Sequence, residues 1–140
     1  MQYYRTILRD ERLRDHFQRP EGRVRYGTSC RDVSLRLPQA LVALHAAAAT
    51  RHLLQLGHKT VWHLAGPSDW KEAEERVEGW RSVLESAGAP IPGLLRGDWT
   101  PGSGYELGEE LLHIRGLSAV FVANDQMAIG VLRAMHQAGQ

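Results

Sequence analysis

Cysteine is nearly absent from the 140 residues: Cys30 stands alone. A lone thiol excludes an intrachain disulfide framework and any metal site built on several cysteines. It fits a reducing, cytoplasmic setting. Long apolar runs are also absent. No stretch approaches the roughly 18 residues of a membrane span. The opening MQYYRTILRDERLRD alternates charges around no apolar core, so it is not a secretory signal. Excess charge of one sign is missing as well. A net +1 excludes a protein whose whole surface is a nucleic-acid-binding face. What is present is globular: 43% hydrophobic and 24% charged residues exclude wholesale disorder. The length suits one domain, or one lobe of a larger one.

Lysine is missing from residues 1–46, which hold nine arginines against five acids. The segment therefore carries +4, and residues 47–140 carry −3. YYRTILRDERLRDHF has the spacing of a short helix through Tyr4, Leu8 and Phe17. From Arg19 to Leu37, prolines and glycines interrupt the text, which reads as loop. Val24, Tyr26, Val33, Leu35 and Leu37 alternate like short strand fragments. Two readings of this segment stand: a basic arm that touches phosphate, and a poorly ordered tail. The pair of packed helices that a helix-turn-helix requires is not visible.

From Ala46 the pattern becomes regular. AAAATRHLLQLGH places Ala46, Ala49, Leu53 and Leu56 on one helical stripe, which Gly57 ends. TVWHLAG (60–66) is a short apolar run closed by Gly66-Pro67, hence a buried strand. Asp69 offers an N-cap, with Glu72 as its capping-box partner. Ala73, Val77, Trp80, Leu84 and Ala87 follow at helical spacing, and Gly88 with Pro90 ends that helix. GLLRGDW (93–99) is the second strand. GYELGEELLHI (104–114) is a helix through Tyr105, Gly108, Leu111 and Leu112. SAVFVAN (118–124) is the third strand, apolar throughout its middle. DQMAIGVLRAMHQAG (125–139) is the last helix, capped by Asp125 and stopped by Gly139.

Residues 58–139 thus read βαβαβα. The fold class is α/β, a partial doubly wound parallel sheet with right-handed helical crossovers. Ligands of such sheets bind at the carboxyl ends of the strands. Here those ends are Gly66-Pro67-Ser68-Asp69, Asp98-Trp99-Thr100 and Asn124-Asp125.

Enzyme chemistry finds little support. His52 and His58 are six apart, which is not a metal-binding helical pair. His63 sits within a strand and reads as a packed core histidine. Ser68 lies outside any nucleophile elbow. Gly102-Ser103-Gly104 precedes a helix, where a phosphate could sit. Without a lysine it reads better as a flexible loop. No nucleophile–base pair, metal set or cofactor motif emerges.

Four blocks stand in register: AATRHLLQLGHKTVWHLAGP, ERVEGWRSVLESAG, GDWTPGSGYELGEELL and AVFVANDQMAIGVLRAMHQAG. Together they resemble the effector-binding core of LacI/GalR-type transcriptional regulators. The resemblance covers about residues 47–140, and VANDQMAIGVLRA is its most specific part. It implies one half of a periplasmic-binding-protein-like lobe, a small-molecule effector such as a sugar, and a homodimer. It also implies DNA binding by a separate headpiece, with effector and operator linked by a coupling free energy. A fragment of a periplasmic-type sugar-binding protein, which has the same core fold, is the alternative. VANDQMA favours the regulators.

The resemblance carries roles to particular residues. Arg76, in Arg76-Val77-Glu78-Gly79-Trp80, falls on the family's effector-binding arginine, whose fork suits paired hydroxyls. Its spacing alone equally allows a surface arginine paired with Glu72. Trp99 matches an aromatic that stacks on the sugar's apolar face, or else is a core tryptophan. Asn124 could bond a ligand hydroxyl, or serve as turn and cap. Ile129 and Arg133 fall on the helix that lines the family's dimer interface; burial of Ile129 within the lobe is the other reading. Trp70 and Glu72 depart from the pattern, because the family often has small hydroxylated residues there.

Nothing in the 140 residues resembles the headpiece, the rest of the first lobe, or the later strands of the second. The arginine-rich, lysine-free front is the composition that GC-rich DNA gives out of frame. On that reading the chain is a truncated or frameshifted regulator, residues 1–46 lack stable structure, and the isolated chain is marginally stable.

Overall fold

The structure, a computed structural model, describes residues 37–139. The expectations for residues 1–36, the short helix, the strand fragments and the basic arm, lie outside the described residues. Among those described, the order is α1 (Leu37–Gln55), β1 (Trp62–Ala65), α2 (Lys71–Ser86), β2 (Leu94–Arg96), α3 (Pro101–Leu112), β3 (Val120–Val122) and α4 (Asp125–Gln137).

The sheet is parallel, with strand order β2-β1-β3. His63 pairs with Leu94 on one side and Phe121 on the other. Alternation along β1 then divides the core. Val61, His63 and Ala65 face Trp80, Val77 and Leu84 of α2, with Leu53 and Leu54 of α1 beside them. Leu64 faces Leu111 of α3 and Met127 and Val131 of α4. The chain leaves β1 toward β2 over one face and returns from β2 to β3 over the other. Crossovers of one hand require that reversal.

Each helix pair closes on a glycine. A Cβ on Gly79 of α2 would overlap the carbonyl of Ala43 in α1. A Cβ on Gly130 of α4 would overlap the Pro101 carbonyl, and one on Gly104 would overlap Met127. Backbones therefore meet where side chains usually intervene.

Several boundaries differ from expectation. Helix α1 begins at Leu37, so the boundary expected after residue 46 falls inside it. Pro38 lies in its first turn, where a missing N–H removes no helical bond. Leu56 is 59% exposed, and Thr50 is buried instead, donating to the Ala46 carbonyl at 2.8 Å. Asp69 does not cap α2. The Trp70 N–H closes a turn on the Pro67 carbonyl at 3.2 Å, so Trp70 becomes the cap residue, without a side-chain cap bond. Helix α3 opens at Pro101, with the Thr100 hydroxyl accepting from the Ser103 N–H. Gly102-Ser103-Gly104 is thus helical, not a loop. Asp125 is the first residue of α4; Asn124 is its cap. Gly57, Gly88 and Gly139 stop their helices as expected, at φ of 97°, 62° and 77°.

Candidate functional site at the carboxyl edge of the sheet

Three loops meet where the strands end. The Gly97 N–H bonds the Ala65 carbonyl at 2.8 Å, and the Ala123 N–H bonds the Leu64 carbonyl at 2.9 Å. These bonds fasten the loops after β2 and β3 to β1.

Asn124 works in both directions. Its Oδ1 accepts from the Met127 N–H at 2.9 Å, satisfying one of the open donors of α4. Its Nδ2 donates to the Trp99 carbonyl at 3.0 Å. The cap of one helix therefore holds the loop before another. Of the two readings of Asn124, the one seen here is the cap.

Trp99 has φ of 75°, a left-handed conformation that costs an L-residue about 1–2 kcal/mol. The Asn124 bond and the packing of its ring offset that cost. The six-membered ring lies against Gly66, where any Cβ would overlap it. The ring also packs on the cluster around Leu64 and Met127. Its Nε1–H is buried and has no partner among the described residues. A buried open donor costs about 1–3 kcal/mol, a cost the packing of the ring must also offset.

Two further side chains converge on Trp99. The Arg76 guanidinium lies over its ring, 6.0 Å from the centroid, at the range of a cation–π contact. Arg76 also donates to the Glu72 carbonyl at 3.0 Å. The partner expected from spacing was the Glu72 carboxylate; the main chain takes its place. Trp70 meets Trp99 edge to face, with centroids 5.7 Å apart and planes at 68°.

The floor is polar. Arg96, at the end of β2, pairs with Glu74 at 2.7 Å and donates to the Gly66 carbonyl at 3.0 Å. It ties the first two loops together. Asp98 accepts from the Thr100 N–H at 2.9 Å and from the Thr100 hydroxyl at 2.6 Å. Hydrogen bonding from Ser103 and Thr100 holds its carboxyl at about 2, so it is charged across the neutral range.

His63 lies just behind these loops. It is fully buried, and burial pushes its pKa down to about 4, with Arg76 and Arg96 adding to the shift against the Phe121 hydrogen bond. Its Nδ1 donates to the Phe121 carbonyl at 2.9 Å, its ring stacks on Phe121 at 4.6 Å, and its Nε2 is buried without a partner among the described residues. It is the packed core histidine that its strand position implied.

Of the residues singled out in the sequence, Arg76, Trp99 and Asn124 come together. Ile129 and Arg133 do not. They lie on the outward side of α4, with Ile129 59% exposed, so its burial within the lobe is overturned. Sequence reasoning missed the Arg96–Glu74 pair and the Trp70–Trp99 contact. A charged residue ending an apolar strand was the available signal for the first. An open recess of about 470 Å³ lies at the opposite, amino edge, beside His58, Lys59 and Trp62. It is remote from this convergence of side chains, and parallel sheets bind ligands at the carboxyl end.

Comparison with known proteins bears on the family and the fold. Residues 50–140 match the profile of the periplasmic binding protein-like domain family. The lactose operon repressor of Klebsiella pneumoniae is 43% identical over 91 residues, 64% of this chain and 26% of that protein. The ribose operon repressor of Escherichia coli K12 is 38% identical over 93 residues, 64% of this chain and 28% of the repressor. A solved sugar-binding transcriptional regulator of the LacI family from Escherichia coli, in complex with phosphate, superposes with a TM-score of 0.66 at 33% identity. That match covers 70% of this chain and 36% of the regulator. The chain spans about a quarter of the length of the curated relatives it matches. By sequence and by fold, the chain belongs to the periplasmic binding protein-like domain family and carries part of the effector-binding core of LacI/GalR-type regulators.

Proposed function

We propose that this chain supplies part of the effector-sensing site of a cytoplasmic transcriptional repressor, with a sugar or related metabolite as effector. It performs no catalysis. One observation carries the reading: Trp99, held in a strained backbone by Asn124, lies under Arg76 where the three strand ends meet. A hydroxylated ring set against that indole would meet the Arg76 fork through its hydroxyls. Arg76 needs no particular protonation state for this task. In this reading Ile129 and Arg133, outward on α4, belong to a homodimer interface. A separate headpiece grips operator DNA. Effector and operator then communicate only so far as each prefers one arrangement of the whole.

Isothermal titration calorimetry against a panel of monosaccharides, disaccharides and glycosides tests the proposal. A saturable ligand is expected, with Trp99→Ala and Arg76→Met each weakening it about tenfold or more. A panel without binders, or binding indifferent to both substitutions, would overturn it.

A further inference from the structure

We propose that the amino edge of the sheet carries a second ligand site, whose ligand is a small aromatic anion: a flat ring bearing a phosphate or a carboxylate. The inference is independent of the effector-site reading above.

The three loops of that edge are residues 56–61, 87–93 and 113–119. They hold His58, Lys59, His113 and Arg115, and not one aspartate or glutamate. The recess of about 470 Å³ is formed by the first and third loops with the start of β1, and its size suits a small ligand. Leu56, His58, Lys59, Thr60, Trp62 and Ser118 line it. Gly57 and Gly116 complete the lining, and a Cβ on either would meet nothing, so no side chain fills the space. The walls are tied in place. The Thr60 hydroxyl donates to the Pro90 carbonyl at 2.6 Å, and the Trp62 N–H to the Ala119 carbonyl at 3.0 Å. His58 Nδ1 and the Ser118 hydroxyl share a hydrogen bond of 3.0 Å. A ligand therefore enters a formed recess without first ordering its loops.

Parallel sheets favour ligands at the other edge because helix N-termini gather there. Helix C-termini gather here, so the backbone does not attract an anion and side chains have to hold it. Lys59 is exposed and, among the described residues, has no ion-pair partner. His58 and Ser118 supply a second donor whichever way their bond runs. Where the hydroxyl donates to Nδ1, the ring proton sits on Nε2; where Nδ1 donates, the hydroxyl proton is left over. Trp62 is half-buried and Leu56 is 59% exposed, which gives the recess an apolar wall. A neutral ring leaves the ammonium unmatched, and a bare inorganic anion leaves the indole unused. A flat ring with an anionic group engages both. A nucleoside monophosphate and an aryl carboxylate share that chemistry.

The test is a 1H–15N titration of the full chain, read at the Trp62 indole resonance, which Trp62→Phe identifies. Adenosine 5′-monophosphate is set against adenosine, 4-hydroxybenzoate against phenol, and both anions against inorganic phosphate. At least one aromatic anion should bind saturably, about tenfold tighter than its uncharged counterpart and than inorganic phosphate. Binding of the nucleotide alone identifies a nucleotide site; binding of 4-hydroxybenzoate alone identifies an aryl-acid site. Lys59→Met should weaken the binding about tenfold, and Lys59→Arg should keep most of it. The Trp99 indole resonance should stay in place throughout. A Trp62 resonance that no aromatic anion moves, equal binding of inorganic phosphate, or an affinity that survives Lys59→Met would overturn the inference. Lys59 would then serve only to balance the C-terminal end of α1. Movement of Trp99 in place of Trp62 would put the anion at the carboxyl edge and overturn it as well.

Discussion

His63 occupies the middle of the central strand, stacked on Phe121 and 5.6 Å from the Trp80 ring. Its neutral form is the one the core holds. The unfolded chain takes up a proton below about 6.5, whereas the folded chain resists until about 4. Stability is therefore full above 6.5 and falls as pH drops from about 6.5 to about 4. The loss approaches about 3 kcal/mol, since each pH unit between those two values is worth about 1.4 kcal/mol. His63→Leu should remove that slope, along with the buried unpartnered Nε2. Urea midpoints at pH 7.5 and 4.5 check this: wild type should weaken over the interval by about 3 kcal/mol more than the variant. Equal losses would contradict the assignment. At this scale the sequence showed identities but not states. A histidine within an apolar run is legible as a core residue. The left-handed backbone of Trp99 is not, because nothing in its side chain demands it. Contacts made by Asn124 and Gly66, distant in sequence, impose it.

The elements themselves were largely legible. WHLA, LLR and VFV are short, mainly apolar runs followed by glycine or, one residue on, asparagine, and the central WHLA is the buried one. Helix stops were legible too, because Gly57 and Gly88 must supply positive φ. Helix starts were not. Asp69 and Asp125 have the chemistry of caps, but the path of the preceding loop decides which residue is last in the extended region. That path makes Trp70 and Asn124 the caps. Asn124 separates capping from positioning. Asn124→Ala should cost about 1 kcal/mol in a thermal melt and also release Trp99. Asn124→Asp keeps an acceptor for the Met127 N–H but cannot donate to the Trp99 carbonyl. It should retain most of the stability and weaken ligand binding about tenfold. Parallel effects of both substitutions on both readouts would contradict this division. The close helix crossings were also hidden. A glycine within a helix reads as a weak helix former, yet Gly130 lies against the Pro101 carbonyl and Tyr105. Gly130→Ala gains about 1 kcal/mol in propensity. It should still destabilise the protein by about 1–3 kcal/mol, because backbones must separate. A raised melting temperature would show that the crossing yields more easily than its geometry implies.

For the whole molecule, the sheet order β2-β1-β3 places β1 at the centre, and its loop lies between the other two. Arg76 follows β1, Trp99 follows β2, and Asn124 follows β3. Each strand therefore contributes one member of the site, and the topology assembles them without a long loop. The α1–α2 layer carries Arg76 and Trp70, while the α3–α4 layer is capped by Thr100 and Asn124. Trp99 lies between these groups. Under the proposed function, a ligand at this edge would touch both layers and could bias their arrangement. The most direct test uses the four indole N–H resonances in a 1H–15N correlation spectrum of the full chain. Trp99→Phe identifies one of them. Trp80 serves as an internal reference, since its Nε1–H is buried and bonded to the Val61 carbonyl at 2.8 Å. On titration with a glycoside panel, the Trp99 resonance should move saturably as the ligand settles against its ring, while that of Trp80 stays in place. A ligand that binds and leaves Trp99 unmoved, or a panel that moves no indole resonance, would contradict the assignment of this edge as the effector site.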